Sequence, residues 1–275
     1  MKSKGWIITG IVAASVAAVL LIGVMVVMLS GQVNWFNRTL RTSENVIYEE
    51  SFSRVTDISI SSACGDISFI ENTDNRFGVL AYGEKREDIT VNFSDGKLSV
   101  DYPQKRRLIN WTIAKNNIVI SLPKGYDKSI KVNADYGDVT LCALPKASVN
   151  VECDYGNVEI AESVSAAVSN DCGNVEIGTI DTADVRVDLG DIRLDTVTKR
   201  CDLRNDCGDI TVKNMKITED SVISNDLGDI TVEHAPDVRV TADTDMGKVN
   251  VAQTNEKASV MLTITNSSGN INVGK

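Results

Sequence analysis

A five-residue pattern that recurs at a nearly constant spacing constrains this chain more than any other feature. From residue 129 onward, eight segments read Asp-x-Gly-Asp/Asn-Val/Ile or a close variant, with glycines 17 to 22 residues apart. An isolated ninth copy surrounds Gly65. A fixed period of this length is typical of repeat architectures, in which each unit packs against its neighbours. The eight glycines, which we assign as structural turn residues, are Gly137, Gly156, Gly173, Gly190, Gly208, Gly228, Gly247 and Gly269.

Each repeat also carries apolar residues at fixed offsets from its glycine. Five residues before the glycines stand Val132, Val151, Val168, Val185, Leu203, Ile223, Ala242 and Ile264. Four residues after them stand Leu141, Ile160, Ile177, Leu194, Val212, Val232, Val251 and Val273. The apolar positions alternate as in a strand, and the alternation breaks once per repeat, at the glycine. A glycine with positive φ at that point would turn the chain from one strand into the next.

The repeat length decides between the possible fold classes. About 18 residues hold two strands and two turns, but no crossover helix between parallel strands. We therefore predict an all-β ectodomain, a parallel β-solenoid of two-strand coils of 17–22 residues. Every coil should lie on the one before it at about 4.8 Å, which makes the coil of Gly269 the terminal one. A sandwich of antiparallel hairpins is the alternative, because an Asp-x-Gly segment between strands is also a hairpin signal.

The N-terminal segment is apolar from Trp6 to Leu29, a run of 24 residues without a charge. As a helix it would be roughly 36 Å long, more than the roughly 30 Å hydrocarbon core of a bilayer. We predict one transmembrane helix at residues 6–29 after a cytoplasmic stub at 1–5; a cleaved signal peptide is the alternative. Lys2 and Lys4 precede the helix, so the positive-inside rule places the N-terminus in the cytoplasm and the ectodomain outside.

Composition changes along the rest of the chain. We predict a juxtamembrane linker at 30–45, an N-terminal β region at 46–128 with a tight turn at residues 94–96, and the repeat solenoid at 129–275. Residues 31–128 contain 13 Lys+Arg and 13 Asp+Glu, whereas residues 129–275 contain 13 and 25. This acidity argues against binding nucleic acid or anionic lipid. A basic cluster within residues 103–107, whose charges lie at 105–107, is interpreted as a solvated loop. The alternative is a contact with wall polymers or with the membrane face.

Acidic and amide side chains recur beside the glycines. Asp stands two residues before the glycine in seven of the eight repeats, and Asp or Asn follows it in seven. We expect the first column to form Asx-turns, with no bound metal or cofactor. Calcium held by a ladder of Asp188, Asp206 and Asp226 is the alternative. A third column, of inward-pointing amides that we expect to satisfy one another along the axis, comprises Asn170, Asn205, Asn225 and Asn266.

Cysteine and histidine give no catalytic signal. Cys172 and Cys207 share a column but lie two coils apart, about 9.6 Å, which is beyond disulfide reach. We expect buried thiols in place of leucine. The only histidine, His234, has no partner pattern for a nucleophile or for zinc. We therefore predict no catalytic residues.

An apolar N-terminal segment followed by strand repeats such as Asp188-Leu189-Gly190-Asp191-Ile192 resembles the bacterial "putative adhesin" family of β-strand-repeat domains. The resemblance covers about residues 46 to 275 and implies a parallel β-helix-like fold at the cell surface. It supplies no catalytic residues. We predict a non-enzymatic, membrane-anchored module of the cell envelope whose partner is an envelope polymer or protein. A calcium-dependent, polysaccharide-binding or polysaccharide-acting β-helix protein is the alternative.

Overall fold

The computed structural model describes residues 40–42, 45–73, 76–103, 113–235, 237–252 and 254–274. These residues form 21 strands and one 3-10 helix, Arg86–Asp88. The strands are β1 Leu40–Thr42, β2 Val46–Phe52, β3 Asp57–Ser62, β4 Ile67–Asn72, β5 Phe77–Tyr82, β6 Thr90–Ser94, β7 Lys97–Tyr102, β8 Ile113–Lys115, β9 Ile118–Pro123, β10 Ser129–Tyr136, β11 Val139–Tyr155, β12 Val158–Cys172, β13 Val175–Leu189, β14 Ile192–Cys207, β15 Ile210–Met215, β16 Ser221–Leu227, β17 Ile230–His234, β18 Arg239–Met246, β19 Val249–Val251, β20 Met261–Ser268 and β21 Ile271–Val273.

The repeats stack as a parallel solenoid, as the sequence predicts. Each coil contributes one strand before its glycine and one after it, and the long strands β11 to β14 pass from one row into the other. The row before the glycines runs β7, β3, β10, the second halves of β11 to β14, then β16, β20 and β18. The row after them runs β9, β4, the first halves of β11 to β14, then β15, β17, β21 and β19.

Within the described 19-stranded sheet, antiparallel pairing occurs only at the end of the stack that carries β7 and β9. There β6 pairs with β7, and β5 pairs with both β9 and β2. The turn between β6 and β7 is the tight one predicted, with φ of 51° at Asp95 and 79° at Gly96. Because the repeats themselves pair in parallel, the alternative sandwich of antiparallel hairpins is wrong. β1 and β8 pair in a separate two-stranded sheet.

The core lies between the two rows. The apolar columns five residues before and four residues after the glycines are buried, except that Ala242 and Val251 are half-buried. Both exceptions belong to the coil of Gly247. In the same coil Val249 is 44 % exposed, whereas Ile230, which occupies the equivalent position in the coil of Gly228, is fully buried. The coil of Gly247 therefore lies at the end of the stack.

The stacking order of the last two coils corrects one expectation. The coil of Gly269 is not terminal: β20 pairs with β16 on one side and with β18 on the other. The chain skips a layer after β17, forms the outer coil β18–β19, and returns to fill the gap with β20–β21. The connection makes this possible, since Gly247 and Gly269 are 22 residues apart, the longest spacing in the series.

The stack also extends toward the N-terminus beyond residue 129. The Gly65 copy, isolated in sequence, lies directly against Gly137, because β3 and β4 pair with β10 and β11. Residues 6–29 and 105–107, to which we assigned an anchor and a basic cluster, lie outside the described residues. Within the part of the chain that the structure describes, no helix has the length and apolar character needed to cross a bilayer.

Candidate functional site

The glycine corners explain why glycine recurs in every repeat. Gly190 has φ of +149°, which side-chain-bearing residues rarely adopt, and a Cβ added there would lie 2.0 Å from the carbonyl oxygen of Gly173. The same close approach joins each corner to the next, in the order Gly65, Gly137, Gly156, Gly173, Gly190, Gly208, Gly228, Gly269 and Gly247. The spacing of the coils therefore favours glycine at all nine corners, and a positive φ favours it at every corner except Gly247.

The column of Asp or Asn just after the glycine forms a continuous hydrogen-bonded ladder, which we call the Asx ladder. In each coil its side-chain Oδ1 accepts the backbone N–H of the same column in the next coil, at 2.7 to 3.2 Å. The ladder consists of Asp66, Asp138, Asn157, Asn174, Asp191, Asp209, Asp229 and Asn270, and it ends at Lys248. A lysine suffices at Lys248 because, among the described residues, no further coil lies beyond it that would need an acceptor.

The inward asparagines differ from the prediction. They do not bond to one another: Asn205 Nδ2 donates to the carbonyl oxygen of Gly190 at 2.9 Å, and Asn225 Nδ2 to that of Gly208 at 2.9 Å. Asn170 and Asn266 repeat this contact with Gly156 and Gly228. The reason is geometric, since the corner carbonyl of one coil points at the amide of the next. These asparagines therefore belong to the scaffold.

The column two residues before the glycine, which we call the acidic row, has no comparable role in the scaffold. It consists of Asp135, Asp154, Asp171, Asp188, Asp206, Asp226 and Asp245, all exposed. Among the described residues, no backbone N–H donates to Asp188 or Asp206, so the Asx-turns expected there are not formed. Nor does a described Lys or Arg pair with any member of the row. The backbone hydrogen bonds that we assigned to this column lie in the Asx ladder instead.

Directly before each glycine lies an apolar column, which we call the corner stripe. Its members are in register from coil to coil: Tyr136, Tyr155, Cys172, Leu189, Cys207, Leu227, Ser268 and Met246. The two tyrosine rings stack with centroids 5.0 Å apart and planes 5° apart. Tyr155, Leu227 and Met246 are 51 %, 54 % and 68 % exposed, so the stripe presents apolar surface to solvent along the edge of the solenoid.

Two depressions lie on the outer faces of the coils. One, of about 180 Å³, opens where Ser267 interrupts the acidic row between Asp226 and Asp245, and Asp243 also lines it. The other, of about 320 Å³, lies on the opposite row and includes Arg193 and Lys213. Its two cations are already paired, with Arg193 Nη1 3.3 Å from Glu176 Oε1 and Lys213 Nζ 2.6 Å from Asp195 Oδ1. Only the first depression adjoins the acidic row and corner stripe.

The described residues contain no group of three or more His, Cys, Asp or Glu side chains arranged to hold a metal ion. Calcium along Asp188, Asp206 and Asp226 stays the untested alternative. His234 is exposed, and its Nδ1 lies 3.1 Å from the carbonyl oxygen of Lys213. It has no cysteine or carboxylate partner among the described hydrogen bonds and ion pairs.

None of the six cysteines, all of which lie within the described residues, forms a disulfide. Cys64, Cys153 and Cys201 are buried, whereas Cys142, Cys172 and Cys207 are half-buried. The register puts Leu189 between Cys172 and Cys207, which confirms their two-coil separation. Burial, with the nearby Asp138 as a smaller cause, raises the pKa of the Cys153 thiol to about 12. The expectation of buried thiols therefore holds for three of the six.

Sequence reasoning missed the corner stripe, although a signal for it was present. The residue before each glycine is apolar or cysteine in seven of the eight repeats, and the alternation of inward positions five, three and one residues before the glycine predicts that it points inward. That prediction is wrong for Tyr155, Leu227 and Met246, which are exposed because the chain turns at the corner. The stacking order was also readable. Lys248 breaks the Asp/Asn column in the seventh repeat, whereas Asn270 keeps it in the eighth.

Comparisons with known proteins agree with this architecture. A comparison with curated protein sequences gave no match. A "putative lipid binding protein" from Parabacteroides distasonis is similar in structure, with a TM-score of 0.53 at 14 % identity over 86 % of this chain and 100 % of that one. A "putative adhesin" from the same species has a TM-score of 0.52 at 11 % identity over 85 % and 99 % of the two chains. A third, a "putative adhesin" from Parabacteroides merdae, has a TM-score of 0.51 at 9 % identity over 86 % and 100 %.

At these identities the likeness to the three solved structures concerns the fold. The family model described as Toastrack DUF4097 matches residues 55–274, which contain every described strand from β3 to β21. The chain belongs to the Toastrack DUF4097 family.

Proposed function

We propose that this protein is a non-enzymatic binding module of the cell envelope, held at the membrane by residues 6–29 with its solenoid outside the cytoplasm. The observation that carries the proposal is the pairing of the corner stripe with the acidic row. Both columns recur from coil to coil, and among the described residues the side chains of neither column hydrogen-bond to a backbone group or belong to the buried core. Residues that recur without serving the stack are available to contact a partner.

The arrangement suits binding better than catalysis. Along the corner, the same two side-chain types repeat at about 4.8 Å, so the surface offers many equivalent contacts rather than one site. The similar solved structures named as adhesins and as a lipid-binding protein favour a binding role. Of these two, adhesion fits this chain better, because the acidity of residues 129–275 repels anionic head groups.

Three measurements test the proposal. Protease added to intact cells should remove the solenoid; protection from protease would refute the outward topology. The N-terminal sequence of the mature protein checks the anchor, since a start near Gly31 would show a cleaved signal instead. The full chain should also retain material from envelope fractions, and the substitutions Leu189→Ser and Leu227→Ser should reduce that retention. Equal retention by the variant and the parent would contradict a binding role for the corner stripe.

A further inference from the structure

We propose that the corner stripe and the acidic row form one docking surface, and that its occupant is a basic amphipathic α-helix of a partner polypeptide. This inference deepens the proposed function and rests on it, since it names the chemistry of the partner. Three features of the surface lead to this inference. They are its charge, the depression beside Ser267 at one end, which we call the cleft, and the spacing of its side chains.

Charge flanks the corner stripe on both sides. The acidic row supplies seven carboxylates on one side, without a cationic partner among the described residues. On the other side the Asx ladder uses only one oxygen of Asp138, Asp191 and Asp209 for its backbone bonds. A single described cation, Arg193, reaches one of these carboxylates, Asp191, at 2.6 Å. An occupant must therefore bring apolar side chains to the middle and cations to both edges.

The cleft at Ser267 extends this complementarity to a specific contact. Its 180 Å³ is open between the carboxylates of Asp226, Asp243 and Asp245, because serine is too short to fill the place of an aspartate. Such a cleft suits the end of one lysine or arginine side chain. A second copy of this chain would be repelled there, since its own solenoid carries the same excess of acidic residues.

The spacing of the corner stripe selects a helix over an extended strand. Adjacent coils are about 4.8 Å apart, close to the 5.4 Å pitch of an α-helix. Side chains on one face of an extended strand are roughly 6.7 Å apart, so within two coils they no longer lie opposite the side chains of the corner stripe. Seven coil steps separate Tyr136 from Met246, which corresponds to roughly 34 Å or about six helical turns.

Native cysteines allow the docking to be located on the full-length chain. Cys172 and Cys207 are half-buried within the corner stripe, and Cys142 is half-buried outside it. The probe is a synthetic helical peptide of about 23 residues, which spans the stripe at 1.5 Å per residue, with leucine on one face and lysine on both sides of it. Maleimide labelling of each cysteine is followed by mass spectrometry, with the full chain held in phosphatidylcholine nanodiscs.

We expect the basic helical peptide to slow labelling of Cys172 and Cys207 at least fivefold, to leave Cys142 unchanged, and to lose affinity as salt is raised. A peptide with glutamate in place of lysine should protect neither cysteine. A peptide that alternates leucine and lysine, as a strand would, should protect less than the helical one.

Matched variants show which residues bind the peptide. Leu189→Ser with Leu227→Ser should weaken it tenfold or more, as should the triple change to Asn in the acidic row at Asp188, Asp206 and Asp226. The control for the apolar change is Val222→Ser, a residue 40 % exposed on the same row but outside the stripe. The control for the charge change replaces three exposed carboxylates away from the corner, Glu159→Gln, Glu233→Gln and Glu256→Gln. Neither control should change the affinity.

Several results would overturn the helix assignment. These are equal protection by the glutamate peptide, stronger protection by the alternating peptide, no protection at all, or protection that rises with protein concentration without any peptide. The last would mean that a second copy is the occupant. If the helical peptide fails while the stripe variants still lower retention of envelope material, the partner is misassigned and the proposed function stands. If those variants leave retention unchanged as well, both are wrong.

Discussion

Replacing a corner glycine by alanine tests the stacking order and the reason for glycine together. At Gly190 the new Cβ would lie 2.0 Å from the Gly173 carbonyl oxygen, so the two coils must separate by more than an ångström. The residue would also keep φ near +149°, which costs an alanine about 1–3 kcal/mol.

Separation of the coils also weakens three hydrogen bonds at that corner. Gly173 N–H donates to the Leu189 carbonyl at 2.9 Å, Val175 N–H to the Asp191 carbonyl at 2.9 Å, and Asp191 N–H to Asn174 Oδ1 at 2.9 Å. At about 1 kcal/mol each, loss of two or three adds about 2–3 kcal/mol. We therefore expect Gly190→Ala to lower the free energy of unfolding by about 3–6 kcal/mol.

Gly247 is the matched control because its added Cβ meets the same kind of obstacle, the Gly269 carbonyl oxygen, at 1.9 Å. No described coil lies beyond Gly247, so its corner can move outward, and its φ lies outside the range that requires glycine. We expect Gly247→Ala to cost less than about 2 kcal/mol, and Gly269→Ala to cost as much as Gly190→Ala.

Urea unfolding of the full chain, followed by far-ultraviolet circular dichroism, measures these differences from the midpoint and slope. Hydrogen exchange of the corner amides shows whether the loss is local, as repeat arrays allow. A Gly269 variant as mild as the Gly247 variant would refute the stacking order. Similar, small losses at all three sites would refute the requirement for glycine at the corners.

Three further predictions concern other columns. Asp209→Ala removes an acceptor from the Asx ladder and should cost about 1 kcal/mol in urea unfolding, whereas Asp206→Ala in the acidic row should cost nothing. Because burial raises the pKa of Cys153 in the folded state, its thiol contributes to the free energy of unfolding fully below pH 9, and this contribution is lost as the pH rises toward 12. In a pH series, Cys153→Val should therefore make the decrease in the free energy of unfolding at alkaline pH shallower. Changing Asp188, Asp206 and Asp226 together to Asn should raise the melting temperature slightly by relieving repulsion, with no effect of calcium in either protein; a calcium-dependent rise in the parent alone would establish the calcium ladder instead.

The sequence predicts the coil because the coil is built from local rules. Alternation places Val185 and Leu194 inside, and the break in alternation at Gly190 marks the corner; both predictions are confirmed. The order of the coils is not local. The coil that lies beside Gly228 is the one whose strand places more side chains in the core. That strand is β20 rather than β18, because β20 contributes the buried Ile264 and the buried amide of Asn266.

The hydrogen bonds between coils also could not be predicted from residues close together in the sequence. An aspartate near a glycine suggests an Asx-turn within its own segment, and that expectation placed the bonds of Asp188 in the wrong column. In the structure the acceptor is the side chain after the glycine, and its donor lies 17 to 72 residues away in the next coil. Only the stacked geometry shows that Asp191 serves the scaffold and that Asp188 does not.

The side chains that hold the solenoid together are different from those proposed to bind the partner, and this separation makes the binding experiments interpretable. The scaffold depends on the glycine corners, the Asx ladder, the inward asparagines and the buried apolar columns. The corner stripe already varies between tyrosine, leucine, methionine, cysteine and serine without a change of fold, and Ser267 replaces aspartate in the acidic row in one coil. Substitutions of Leu189 or Asp206 by residues found elsewhere in their own columns should therefore leave the stack intact. A loss of binding in such variants then measures contact with the partner, because the solenoid that presents the surface is unchanged.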